Sequence, residues 1–225
     1  MEIENAAEVM EKVIKQIRDA TTLHVAASLE SNFRFLDFVN LRLGPGNLEV
    51  WCKNSQWRLN CSVGRHRGIV ISAGESETYL FKNGRWERTR LGITDKLWLF
   101  SLDSATIARI SYTSLEEGVL NDESVWIVHG IDNSDRSHHI WWVGKKDFAV
   151  KKFQKEGGDF EFEYAGIKRR VQWPVTFIMR FETVEVNGIV PDELFQIPRD
   201  VAPEGETEEW FDKFEDVFDM LLRKL

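Results

Sequence analysis

The side chains that could do chemistry in this chain are histidines, cysteines and paired carboxylates, and their spacing argues against catalysis. The five histidines show neither the HExxH spacing of zinc hydrolases nor a His–Cys metal pattern. His138 and His139 are adjacent, so on a strand their side chains point to opposite faces and cannot share a metal ion. We therefore expect no metal ion and no cofactor.

Motifs for nucleophiles and nucleotides are also missing from the sequence. The segment Gly74-Glu75-Ser76-Glu77-Thr78 lacks the second glycine of a nucleophile elbow, and there is no glycine-rich phosphate loop or dinucleotide fingerprint. Glu161 and Glu163 alternate with phenylalanines, which is typical of a solvated strand face. We expect a protein that is not an enzyme; an esterase or glycosidase without a recognisable motif is the alternative.

The two cysteines, Cys52 and Cys61, flank a predicted hairpin whose tight turn is Asn54-Ser55. In that register position 52 faces 57, 50 faces 59 and 48 faces 61, so both cysteines share one face with the apolar residues between them. The sulfurs are then on the order of 10 Å apart, too far to bridge. The hairpin predicts two buried free thiols; a disulfide across a longer loop is the alternative.

Composition limits the kinds of partner. The net charge is −8, with 29 basic against 37 acidic residues, which argues against nucleic acid because phosphate binding needs clustered cations. The 225 residues are enough for one large all-β domain. Nine tryptophans and 15 phenylalanines exceed what ordinary packing requires and favour a lined apolar cavity. No apolar run has the length of a transmembrane segment.

Periodicity predicts a helix followed by many strands. Positions 6–20 carry one apolar stripe at helical spacing, formed by Met10, Val13, Ile14 and Ile17. From Ala26 the hydrophobic period is two, as in a strand, and Gly44-Pro45-Gly46-Asn47 predicts a turn. Alternation stops over 94–110, where Asp103 to Arg109 predicts a short helix with an Asp or Ser cap.

The order of these segments resembles the outer-membrane lipoprotein carriers, the Lol-type or LolA-like family, over roughly residues 6 to 198. The helix, the Trp- and Arg-containing hairpin at 48–62 and a Gly-turn unit at 69–81 match its first half. Its second half is matched by a strand at 140–146, alternating strands to Tyr164, Trp173-Pro174 opening a long strand, and the closing segment 184–198. The specificity of this resemblance lies in the order of the segments, because none of them is a signature alone.

The resemblance implies an α+β fold: a curved, antiparallel, unclosed β-barrel of about ten or eleven strands. The N-terminal helix and short helices over the mouth would complete a single domain at 1–200. Such carriers hold acyl chains without chemistry, on the strand faces that look toward the helices. The cavity residues expected on this basis are Phe35, Val50, Trp57, Leu59, Tyr79, Phe81, Leu97, Trp98, Phe100, Ile107, Ile127, Trp142, Phe162 and Phe177.

A C-terminal extension at 201–225 goes beyond the typical carrier. Its pattern predicts an amphipathic helix with an acidic polar face. The helix is expected to close an open side of the sheet, to plug the cavity mouth or to make a dimer contact. The residues expected to form the plug are Trp210, Phe211, Phe214, Phe218 and Leu221.

The resemblance leaves the partner and the compartment open. It implies lipid or lipoprotein acyl chains as ligand, with a protein partner for delivery or sensing. The alternative is an interaction or sensor module on the same scaffold, with its cavity filled or plugged. Such carriers are usually exported, so a periplasmic location is expected if the sequence is a trimmed mature form, and a cytoplasmic one otherwise.

Overall fold

A computed structural model describes residues 5–35, 39–63, 66–72, 78–82, 85–89, 95–164, 167–172, 175–196 and 201–202. At several strand positions, including 33–35, 39–43, 160–164 and 167–172, it gives the backbone register only. The predicted plug and the rest of the C-terminal segment from residue 203 onward lie outside these residues.

The chain begins with helix α1 (Ala6–Arg18), which is amphipathic as predicted. The Asn5 side chain caps it by accepting a hydrogen bond from the Glu8 backbone N–H. Its apolar stripe, including Val9, Met10, Val13 and Ile17, is buried in the core. The predicted short helix is present as α3 (Ser104–Arg109), and Asp103 supplies its cap. A 3₁₀ helix, α2 (Lys96–Phe100), precedes it.

Fourteen strands follow α1 in the described part of the chain. They are β1 (Thr22–Phe35), β2 (Val39–Lys53), β3 (Gln56–Val63), β4 (His66–Ser72), β5 (Thr78–Lys82), β6 (Arg85–Thr89), β7 (Ile110–Leu120), β8 (Glu123–Asp132), β9 (His138–Gly144), β10 (Val150–Glu156), β11 (Asp159–Tyr164), β12 (Ile167–Gln172), β13 (Val175–Val186) and β14 (Val201–Ala202). A second 3₁₀ helix, α4 (Asp192–Phe195), separates the last two strands.

Twelve of these strands form one sheet in the order β14-β6-β5-β4-β3-β2-β1-β13-β10-β9-β8-β7, and β11 pairs only with β12. Eleven consecutive strands of the large sheet pair antiparallel, and the two-residue strand β14 adds in parallel to β6. The sheet is curved and does not close, so the predicted α+β unclosed barrel is confirmed. Its two edges are β14 and β7.

Two local predictions had opposite outcomes. The β2–β3 register pairs Leu48 with Cys61 and Cys52 with Trp57, and both thiols are free and buried, as predicted. The turn predicted at Gly44 is wrong, because β2 runs through this position and the register against β1 shifts there instead. Gly44 has φ +112°, and a Cβ on it would lie 2.8 Å from the Leu29 carbonyl oxygen.

Candidate ligand-binding site

The concave face of the sheet is apolar across the β13, β10, β9 and β8 strands. Met179, Phe153, Trp141 and Val128 stand opposite one another along this line. Each is at most 2% exposed. Alternate residues of a strand point to opposite faces. The residues two positions away from this line in each strand therefore also face the concave side.

The other half of the sheet continues the same apolar face. Val25, Val50, Leu59, Val70 and Leu80 pair in sequence across β1, β2, β3, β4 and β5. All five are buried and belong to the same core cluster as Trp141. The concave face is therefore one continuous apolar surface from β5 to β8.

The helices form a layer over this surface. Leu97, Leu99 and Phe100 of α2 are buried in the core together with the apolar stripe of α1. The Trp141 indole Nε1 donates a hydrogen bond of 3.0 Å to the Phe100 carbonyl oxygen. The Phe100 ring stacks on Phe181 with centroids 5.0 Å apart. This hydrogen bond and this stack fix α2 to the sheet.

The structure brings eight of the predicted cavity residues together. Six of them are fully or almost fully buried on the concave side: Val50, Trp57, Leu59, Leu97, Phe100 and Phe177. Trp98 and Ile107 are partly buried and pack against the same core. A role in ligand binding for this set stays a prediction, because the same contacts also describe a packed core.

Four predicted residues are on the wrong face of the sheet. Ile127 and Trp142 pair with each other on the convex face, beside the concave pair Val128 and Trp141. Lys152 Nζ lies 3.8 Å from the Trp142 ring centroid. Tyr79 and Phe81 flank the concave Leu80 in β5 and so point outward as well. At these four positions an adjacent residue of the same strand, and not the predicted one, faces the concave side.

For the two remaining predicted residues the structure gives the backbone pairing only. Phe35 pairs with Val39 at the end of β1, a position where the backbone alone is described. Phe162 belongs to the separate two-stranded sheet, opposite Arg169. Sequence reasoning missed Trp141, because β9 carries apolar residues on both faces and its alternation does not choose between Trp141 and Trp142.

A buried polar cluster lies beside Trp141, where β9 begins and β10 ends. Lys155 Nζ pairs with Asp135 Oδ2 at 3.1 Å, and the Lys155 side chain is 8% exposed. The Ser137 hydroxyl donates to Asp135 Oδ1 at 2.6 Å, so its oxygen must accept from His139 Nε2, which is 3.0 Å away. His139 therefore carries its proton on Nε2 while the ring is neutral.

Burial sets the protonation of this cluster. Burial, with the nearby Lys155 ammonium, lowers the pKa of His139 to about 3, so the ring is neutral at ordinary pH. Burial alone would raise the pKa of Asp135, but hydrogen bonds from Ser137 and the Lys155 charge bring it below the ordinary value. Burial lowers the pKa of Lys155, and Asp135 offsets part of that effect. The cluster is a charged pair joined to a neutral histidine.

The described residues offer neither a metal-binding group nor a reactive thiol. Among them, no group of three or more His, Cys, Asp or Glu side chains has the geometry to hold a metal ion. Burial raises the pKa of both Cys52 and Cys61 to about 11, which keeps these thiols protonated and unreactive. No helix in the described part of the chain is long and apolar enough to cross a membrane.

Comparison with solved structures agrees with this architecture, whereas no family model and no curated protein matches the chain. The lipoprotein LppX of Mycobacterium tuberculosis superposes with a TM-score of 0.50 at 8% identity, covering 83% of this chain and 97% of LppX. A conserved protein of Thermus thermophilus superposes with a TM-score of 0.49 at 12% identity, covering 88% of this chain and 97% of that protein. A LolA superfamily protein of Nitrosomonas europaea superposes with a TM-score of 0.35 at 11% identity, covering 87% of this chain and 99% of that protein.

The architecture is an unclosed α+β half-barrel, the fold class that the sequence resemblance implied. LppX has this same fold over most of both chains. At 8% identity the similarity establishes the fold and leaves the activity to be argued from the site.

Proposed function

We propose that the protein binds acyl chains of lipids or lipoproteins, without catalysis, between the concave sheet face and the α1–α2 layer. The observation that supports this proposal is the continuous apolar face from β5 to β8 in a sheet that does not close. A dozen buried methylenes would contribute ~10 kcal/mol before the costs of association. The ligand would enter by separating the helices from the sheet.

Native mass spectrometry of the purified protein, with organic extraction, tests this proposal. We expect a retained acyl lipid, or a bound fatty acid after incubation, because apolar burial needs no specific polar contact. A mass that stays that of the protein alone after incubation with fatty acids and phospholipids would contradict the proposal. A periplasmic site of action would follow from carriage and is part of the same proposal.

A second candidate is an interaction or sensor module with a filled core. The near-complete burial of Val50, Trp57 and Phe100 against α1 and α2 favours it, since these side chains already have packing partners. In this variant the C-terminal segment 203–225 plugs the opening and a protein partner replaces it. That segment starts from β14, which forms one edge of the unclosed sheet.

Removing residues 203–225 tests whether this segment plugs the opening or has no effect on ligand binding. If the segment competes with ligand, the shortened chain should bind a fluorescent fatty acid at least several-fold more tightly than the full chain. The chain ending at Ala202 keeps β14 and is the variant to use. Equal affinity in a titration of both chains would rule out the plug.

A further inference from the structure

Among the buried polar atoms that have no partner in the described part of the chain, three are hydrogen-bond donors on elements that contact α1. They are the indole Nε1 atoms of Trp98 and Trp126 and the hydroxyl of Tyr112. A buried polar atom without a hydrogen bond costs on the order of 1–3 kcal/mol, and folded proteins contain few of them. These three donors could therefore contact a bound molecule.

The three donors come from the three elements that pack against α1. Tyr112 belongs to β7, Trp126 to β8 and Trp98 to α2, and α1 contacts each of these elements. Tyr112 pairs with Gly130, and the register places Trp126 on the same concave face. The Tyr112 ring also meets the ring of Trp141, with centroids 6.2 Å apart. The donors therefore lie on elements that share α1 as a neighbour, with Trp126 four positions along β8 from Gly130, the partner of Tyr112.

The chemistry of these groups defines their partner. An indole N–H donates and cannot accept, and a phenol donates while it stays protonated. Burial, with the Glu11 carboxylate of α1 nearby, raises the pKa of Tyr112 to about 12, so the hydroxyl keeps its proton. Glu11 is itself exposed and makes no hydrogen bond with this hydroxyl. A partner for these donors must therefore be a hydrogen-bond acceptor.

We propose that the seam between α1 and the β7–β8 strands binds the carbonyl groups of an ester-linked or amide-linked lipid. The acyl chain would lie on the apolar concave face, and its carbonyl oxygens would accept from Tyr112, Trp126 and Trp98. This inference rests on the proposed acyl-chain binding and adds the class of lipid. A hydrocarbon or an ether lipid fills the same apolar space but leaves the donors without partners.

Two matched ligands test the proposal on the full chain: monooleoylglycerol and its ether analogue, oleyl glycerol, which lacks only the carbonyl oxygen. We expect the wild type to bind the ester roughly fivefold more tightly, the effect of about one net hydrogen bond. Tyr112→Phe should remove much of this preference without weakening ether binding. It should also leave Tm unchanged or raised, because it deletes a donor that is unsatisfied without ligand.

Tyr79→Phe is the matched control, since Tyr79 lies on the convex face and its hydroxyl is predicted not to matter for either ligand. Equal affinity of the wild type for ester and ether overturns the carbonyl site and leaves acyl-chain binding intact. A Tyr112→Phe variant that loses both ligands equally, or neither, overturns it as well. If the wild type binds neither ligand, the proposed function itself fails.

Discussion

Replacing Trp141 by alanine should lower the free energy of unfolding by about 4 kcal/mol, whereas the same change at Trp142 should cost less than about 1 kcal/mol. Trp141 is fully buried among Tyr112, His139 and Phe153, so its removal opens a large cavity. The Phe100 carbonyl also loses its donor, which loosens α2. Trp142 is partly exposed and mainly covered by Lys152.

Urea denaturation of the two alanine variants measures this difference directly. The pair is well matched, because both substitutions remove an indole from neighbouring positions of β9. Comparable losses at both positions would contradict the assignment of the two faces. Trp142→Arg should likewise leave a folded protein, because the new cation would lie outside the core on the convex face.

The sequence predicts which residues face the core in some strands and fails to do so in others. In β2 and β3 the register was predictable because polar and apolar residues alternate strictly on both sides of a two-residue turn. In β9 the sequence His138-His139-Ile140-Trp141-Trp142-Val143 is apolar on both faces, so alternation cannot choose between them. Only pairing with Val128 and Phe153, far apart in sequence, decides for Trp141.

Shifts of register within a strand pair could not be predicted from the sequence either. Gly44 and Pro45 are typical turn residues, yet they lie inside β2 because β1 continues to pair on both sides of the shifted register. The polar cluster beside Trp141 was missed for a related reason. Lys155 was indistinguishable from the solvated lysines around it until its partner Asp135, 20 positions away, was placed beside it.

The buried pair Asp135–Lys155 gives a second large effect. Asp135→Asn should lower the free energy of unfolding by roughly 3 kcal/mol, because the buried Lys155 ammonium loses the carboxylate that it pairs with at 3.1 Å. An asparagine oxygen can accept from Ser137 or from Lys155, but it carries no charge. Glu123→Gln, which neutralises an exposed partner of Lys151, is the matched control and should cost less than about 0.5 kcal/mol.

The double variant Asp135→Asn/Lys155→Met identifies the origin of this loss. If the penalty comes from the buried charge of Lys155, removing that charge should recover most of the loss, since methionine fills the same space without a cation. The penalty of the single variant should also shrink as pH rises. Burial lowers the pKa of Lys155 in the folded protein, so the folded state releases this proton before the unfolded chain does. Stability is therefore regained toward alkaline pH.

An Asp135→Asn penalty that is constant with pH and unchanged by Lys155→Met would show that the carboxylate acts through Ser137 alone.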